Sequence, residues 1–201
     1  MKIFVWDTET TGFARKDDPL DKQPHIVQFG GILVDMDPAT GEYTEIQRIN
    51  ELVKPPIPIP FGASQVHGIY DKDVVDEVPV GEKMDIFLKV LNDADYSCGH
   101  NIEYDEWVLN SELLRLGRKW DYNPNNVVDT MKESVDFCQL PGRGFGYKFP
   151  KLNELYKKIH GEWFSGAHDA MVDVEATLKC LAHLVSKGVI KLEQAQVLKL
   201  F

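Results

Sequence analysis

The residues in this chain best placed to do chemistry are carboxylates and one histidine in three separated stretches. The first stretch is Asp7-Thr8-Glu9-Thr10-Thr11-Gly12, which ends a short apolar run. Residues i and i+2 of a strand share a face, so Asp7 and Glu9 are held side by side. Adjacent carboxylates repel unless a cation lies between them. Gly12 lets the backbone turn sharply and lets a ligand come close. The same residues also suit a plain strand end, with Asp and Thr making local turn bonds. The second stretch is His100-Asn101-Ile102-Glu103-Tyr104-Asp105, in a strand-to-helix loop of the kind that often carries function. It equally suits a helix start, with Asn101 as the cap and acids in the first turn. The third is His168-Asp169-Ala170-Met171-Val172-Asp173. Positions i and i+5 of an ideal helix lie about 140° apart. His168 must therefore sit in the loop or first turn if it and Asp173 are to meet one substrate, and Ser165-Gly166-Ala167 just upstream supplies that loop. A simple helix start, with Asp169 complementing the dipole, fits the same residues.

Together the three stretches offer four carboxylates and a histidine. Hard oxygen donors suit Mg²⁺ or Mn²⁺ rather than zinc. Two such ions roughly 3.5–4 Å apart can hold an attacking water, a scissile phosphate and a leaving oxygen in line. A histidine beside them can take the water's proton. The chemistry this set suits is phosphoryl transfer.

The elements that must position these groups follow from the apolar pattern. Residues 3–6 read as a short buried strand, and residues 26–34 as a second strand rich in β-branched side chains. Asp37-Pro38-Ala39-Thr40-Gly41 is a turn, and residues 43–53 alternate as a third strand. Four prolines in residues 54–60 exclude a helix or a central strand there. Helical spacing follows over residues 82–91 and 104–116, around Leu152, Leu155, Tyr156 and Ile159, and over residues 171–185. Residues 96–100 and 127–129 read as brief strands between them. The order predicts an α/β fold, with three antiparallel strands, two further parallel strands and flanking helices. No linker divides it, so one domain is expected.

Composition sets outer limits. The chain has 201 residues, 43% hydrophobic and 27% charged, and its ten Phe, seven Tyr and four Trp need a core to pack in. A formal net charge of −10 argues against a general nucleic-acid coat protein. The three cysteines form no CxxC pair, which fits a reducing, cytoplasmic setting better than a disulfide framework. The amino-terminal apolar run is too short for a signal-peptide core, and no run approaches membrane-spanning length.

With these motifs in order, the sequence resembles the DEDDh family of 3′–5′ exonucleases, and within it the proofreading epsilon subunits of bacterial DNA polymerase III. Asp7-Thr8-Glu9-Thr10-Thr11-Gly12 matches the first motif and His100-Asn101-Ile102-Glu103-Tyr104-Asp105 the second, with Tyr104 where Phe is commoner. His168 followed five residues later by Asp173 matches the third. Val66-His67-Gly68-Ile69 and Lys151-Leu152-Asn153-Glu154-Leu155-Tyr156 match intermediate landmarks. The resemblance covers residues 1–186, the expected exonuclease domain, and leaves 187–201 as a carboxy-terminal helix or tail. It implies an RNase H-like mixed five-stranded sheet and stepwise release of nucleoside 5′-monophosphates from a 3′ end. It places Asp7, Glu9, Asp105 and Asp173 on two metal ions, Mg²⁺ or Mn²⁺, with His168 as general base. It also implies substrate contacts from Thr10, Thr11, Gly12, His67, Ile69, Asn101 and Tyr104. Thr10 after the Glu resembles DNA-proofreading relatives more than oligoribonuclease-like ones, which tend to have Met there. DNA is the expected substrate, with an exoribonuclease and an inactive binding module on the same fold as alternatives.

Two further segments bear on partners. Arg143-Gly144-Phe145-Gly146-Tyr147-Lys148-Phe149 suits base stacking and phosphate contact on single strands, or a loop whose aromatics pack back on the core. Gln196-Val197-Leu198-Lys199-Leu200-Phe201 looks like a sliding-clamp-binding peptide, or the apolar side of a final helix. A polymerase partner is compatible with the resemblance. His25, His160 and His183 have no acidic neighbour at a telling spacing and read as surface or satisfied core residues.

Overall fold

The computed structural model describes residues 1–119 and 127–193. The 196–201 segment lies outside them. Five strands, β1 (Lys2–Thr10), β2 (Ile26–Met36), β3 (Tyr43–Leu52), β4 (Tyr96–Gly99) and β5 (Val127–Asp129), form one sheet in the order β3-β2-β1-β4-β5. The β1–β2 and β2–β3 pairs are antiparallel, and β1–β4 and β4–β5 are parallel. The described helices are α1 (Phe61–His67), α2 (Asp71–Val74), α3 (Val80–Asp93), α4 (Ile102–Arg115), α5 (Thr130–Glu133), α6 (Val135–Cys138), α7 (Leu152–His160) and α8 (Ala170–Ser186). The expected mixed five-stranded sheet with flanking helices is present.

The pleat of β1 divides the core into two layers. Ile3 and Val5 face one side and pack with Ile32, Val34, Leu155 of α7 and Val174, Leu178 and Leu181 of α8. Phe4 and Trp6 face the other, against Phe29, Met84 and Phe87 of α3, and Val108, Leu109 and Leu113 of α4. Phe29 and Phe87 stack with ring centroids 4.0 Å apart, and Trp6 donates its indole N–H to Ser97 Oγ at 2.8 Å, so the buried polar tip has its partner. The three cysteines are free and buried. Beyond α8, Ile190 and Leu192 are buried in the first layer, and the Tyr96 hydroxyl donates to the Glu193 carbonyl at 2.7 Å.

The long elements lie within a residue or two of their expected places. The sequence pattern underestimates β1, which runs on to Thr10. Asp7, Thr8 and Glu9 stay paired with Gly30, Phe29 and Gln28 of β2, so the acidic pair lies inside the strand rather than at its end. The pattern also misses α1 and α2, of seven and four residues, which are too short to show a helical period.

Candidate active site

The strand β1 serves two sides of the sheet at one end. It pairs with β2 as far as Thr10, but with β4 only as far as Val5. Beyond Val5 the β4-facing edge of β1 is open, and an unpaired backbone N–H there needs an acceptor. Asp105, in the first turn of α4, supplies it: its Oδ1 accepts from the Thr8 backbone N–H at 3.0 Å and from Thr8 Oγ1 at 2.6 Å. Alternation turns Asp7 and Glu9 to the opposite face, the one that α8 covers. The start of α8 comes close because β2 has Gly30 opposite Asp7: a Cβ there would lie 2.9 Å from the Ala170 carbonyl carbon. Asp169 caps that helix, accepting from the Met171 and Val172 N–H groups, and Asp173 falls in its first turn.

These placements gather Asp7, Glu9 and Asp173, whose ligand oxygens all lie within 4.8 Å of one another. Burial, with the charges of Asp173 and Asp105 added, pushes Glu9 up to about 9. Burial, then Asp105 and Glu9, holds Asp7 well above the usual carboxylate range. Burial also raises Asp173, against the pull of the His168 N–H, which donates to Asp173 Oδ2 at 3.0 Å. The other oxygen, Asp173 Oδ1, is buried with no hydrogen-bond partner among the described residues. A half-buried carboxylate trio with an orphaned oxygen and no cationic side chain among its ligand atoms fits a divalent, oxygen-seeking cation. Asp105 borders this group without joining it: its Oδ1 is committed to Thr8, and burial raises its pKa too.

The loop before α8 carries His168 at φ 70°, and the loop before α4 carries Asn101 at φ 68°. Left-handed backbone at non-glycine residues clusters at functional sites, where the surroundings over-determine it. Here His168 does precede its helix while Asp173 sits in the first turn, as the five-residue spacing requires. Two cavities flank the carboxylates and share Thr8, Glu9, Asn101, Tyr104 and His168. One, of about 500 Å³, runs over Asp7, Asp105 and Asp173 and is walled by Phe149, Pro150, Lys151, Asn153 and Phe164. The other, of about 540 Å³, is lined by Thr10, Thr11, Gly12, Phe13, Pro60, Ala63, Val66 and His67, a mainly apolar surface that suits the face of a base.

The structure brings together at this cleft Asp7, Glu9, Asp105, His168, Asp173, Thr10, Thr11, Gly12, His67, Asn101 and Tyr104. Thr10 Oγ1 and the Tyr104 hydroxyl, 2.9 Å apart, both lie within hydrogen-bond reach of the Gly12 carbonyl. Ile69 does not line the cleft. It packs with Val27, Ile59 and Val74, and its N–H donates to His67 Nδ1 at 3.1 Å, which orients the His67 ring. Gly12 has nothing within 4 Å of a Cβ position and no left-handed φ, so no sharp turn requires it; the open space is what remains for a ligand. His25 is the satisfied residue the sequence allowed: its Nδ1 lies 3.1 Å from Glu112 Oε1, a partner 87 residues away that no local spacing reveals. Sequence reasoning also missed Thr8, although the alternation that pairs Asp7 with Glu9 sends Thr8 to the α4 side. It missed His100 as well, whose ring bridges Thr130 Oγ1 and the Pro150 carbonyl, each at 3.0 Å.

The model of the RNase_T family, described as exonuclease, matches residues 4–181. Similar proteins include the DNA polymerase III epsilon subunit of Buchnera aphidicola, 27% identical over 165 residues, which make up 79% of this chain and 65% of that one. An epsilon-like protein of Rhodobacter capsulatus is 27% identical over 94% of this chain and 25% of its own length. An exonuclease of Escherichia phage 186 is 26% identical over 93% of this chain and 89% of its own. Thus the chain spans less than two thirds of the two epsilon-type relatives. Among solved structures, E. coli exonuclease I bound to single-stranded DNA superposes with TM-score 0.71 at 20% identity, over 92% of this chain and 40% of that one. The nuclease domain of 3′hExo, a DEDDh family member bound to rAMP, gives 0.71 at 16% identity over 96% and 97%. Likeness at that identity carries the fold. Among the described residues no helix is long and apolar enough to cross a membrane.

Proposed function

The chain belongs to the RNase_T exonuclease family, and from that premise we propose that it is a divalent-metal-dependent 3′–5′ exonuclease acting on unpaired DNA. The observation that carries this reading is the convergence of Asp7, Glu9 and Asp173 within 4.8 Å, beside His168 and between two nucleotide-sized cavities. Asp7, Glu9 and Asp173 would hold Mg²⁺ or Mn²⁺, with Asp105 bordering a second ion. When bound, such ions supply the positive charge that activates water and stabilises a leaving oxygen. The chain's own residues do the rest. The apolar cavity takes the terminal nucleoside, and the Thr10–Gly12 backbone and His67 border it. His168, held on its strained loop by the bond to Asp173, accepts the water's proton on its imidazole. The adjoining cavity receives the nucleotide on the other side of the scissile bond.

DNA is favoured by Thr10 after Glu9 and by the epsilon-type relatives. An exoribonuclease is the second reading, because 3′hExo with bound rAMP matches this chain over nearly its whole length. An inactive module would be expected to lack one of the five residues, and the sequence has all five. A 5′-labelled oligomer incubated with Mg²⁺ should give a ladder that shortens one nucleotide at a time. A single internal cut sinks the exonuclease reading, and a faster ladder on the RNA of the same sequence sinks the DNA preference. A polymerase partner, as in the epsilon-type relatives, would be tested by co-purification with a replicative polymerase subunit.

A further inference from the structure

We propose that residues 139–150, between α6 and α7, form a guide that stacks the unpaired strand upstream of the scissile phosphate. This guide presupposes the exonuclease reading and names the part of the substrate it has not yet placed. The segment is a held hairpin. Pro141 and Tyr147 form an antiparallel bridge, the Lys148 N–H donates to the Leu140 carbonyl at 2.9 Å, and the Gly142 N–H donates to the Gly146 carbonyl at 3.2 Å. Its base is tied twice, by Lys148 Nζ to both Glu154 oxygens at 2.6 and 2.8 Å, and by the His100 ring to the Pro150 carbonyl.

An apolar side chain on so anchored a hairpin is expected to turn inward. Instead Phe145 is fully exposed, and Tyr147 and Phe149 are about half exposed. Of the two fates the sequence allowed for these aromatics, packing back on the core is not the one adopted. The hairpin meets the active site at its base, where Phe149, Pro150 and Lys151 wall the cleft over the carboxylates. The apolar cavity on the far side of those carboxylates fits the terminal base, so the strand must leave along the hairpin side. The charge agrees: residues 139–153 contain Arg143, Lys148 and Lys151 and no acid, in a chain of net charge −10. Arg143 and Lys151 make no ion pair among the described residues. Aromatic faces accept any unpaired base, whereas bases in a duplex are already stacked on one another, so the hairpin selects single strands without reading sequence.

The test compares the full chain with Phe145→Ala/Tyr147→Ala, two exposed positions, on two substrates. The p-nitrophenyl ester of thymidine monophosphate reaches only the terminal cavity, and an unpaired dT12 reaches the hairpin too. The KM for dT12 should rise about tenfold or more, with a smaller change in kcat and a smaller loss on the ester. Phe145→Trp/Tyr147→Phe should restore the KM. Fluorescence anisotropy with labelled dT12 in Ca²⁺ reads binding without turnover. If the wild-type chain cleaves neither substrate, the exonuclease reading fails, while the anisotropy still decides the guide. Equal losses on both substrates, or unchanged dT12 affinity, overturn it. A change confined to sedimentation behaviour would make the patch a contact between copies and overturn it as well.

Discussion

His168 and the carboxylates beside it do opposite things to the fold. His168 is exposed, and its ring is free of hydrogen bonds among the described residues, so removing it costs little structure. His168→Ala should lower kcat by about 10²–10⁴, the range of a lost general base. Mg²⁺ affinity measured by calorimetry should stay close to wild type, and full activity across neutral pH would refute the assignment. The carboxylates instead work against the fold when no cation is present. An acid whose folded-state pKa is raised contributes stability that is full below its unfolded value and is lost as pH climbs through the folded one. For Glu9 that window runs from 4.5 to about 9, and Asp7 and Asp173 shift in the same direction. In EDTA the melting temperature should therefore fall as pH rises from 5 to 9, at about 2–4 °C per kcal/mol for a chain of this length. Saturating Mg²⁺ should remove most of that slope. Asp7→Asn should raise the melting temperature in EDTA at pH 8 while abolishing Mg²⁺-dependent cleavage. A flat EDTA profile would mean the cluster does not carry the repulsion its packing implies.

At the scale of elements, the cleft depends on a strap that runs from Thr11 to β2. Glu112 of α4 is buried and holds it, accepting from the Ile26 N–H and facing His25, each at 3.1 Å, with Arg115 3.1 Å away on its other oxygen. Arg115 donates in turn to the carbonyls of Leu20, Gln23 and Pro24, and the Thr11 N–H reaches the His25 carbonyl at 2.9 Å. Glu112→Ala strands three charged or polar partners at once, the Ile26 N–H, His25 and Arg115. It should destabilise the chain by about 3–5 kcal/mol in urea denaturation, as breaking a buried pair does, and should raise KM more than it lowers kcat. The links from α4 to this strap were not legible in the sequence, because those partners are about ninety residues apart and no periodicity joins them. The opposite holds for β2, β3 and α8, whose apolar run, alternation and helical stripe are written locally. The carboxylates were legible because strand period and helix period each fix where a side chain points. The resemblance transfers the His67–Ile69 segment whole, while packing turns Ile69 into the core and leaves His67 on the cavity.

On the exonuclease reading, the whole molecule is an acidic protein that must hold an acidic polymer. Two divalent ions would offset four of the net negative charges of −10 and leave −6. Basic side chains near the cleft are few, and several are already paired: Lys16 and Lys132 with Glu103, and Lys148 with Glu154. On that reading, attraction between the chain and a long phosphate backbone should be weak outside the cleft, and the grip should come from cations, backbone and stacking over the last few nucleotides. Counterion release makes this measurable, since each phosphate neutralised on a single strand contributes about −0.7 to the slope of log K against log salt. Two to four contacts give a slope of about −1.4 to −2.8, shallow beside that of a protein with a long basic track. The same weakness limits processivity. With excess unlabelled strand as a trap, a long 5′-labelled oligomer should lose only a few nucleotides per encounter before release. A steep salt slope, or degradation to completion under the trap, would require a backbone-binding surface that the described residues do not present.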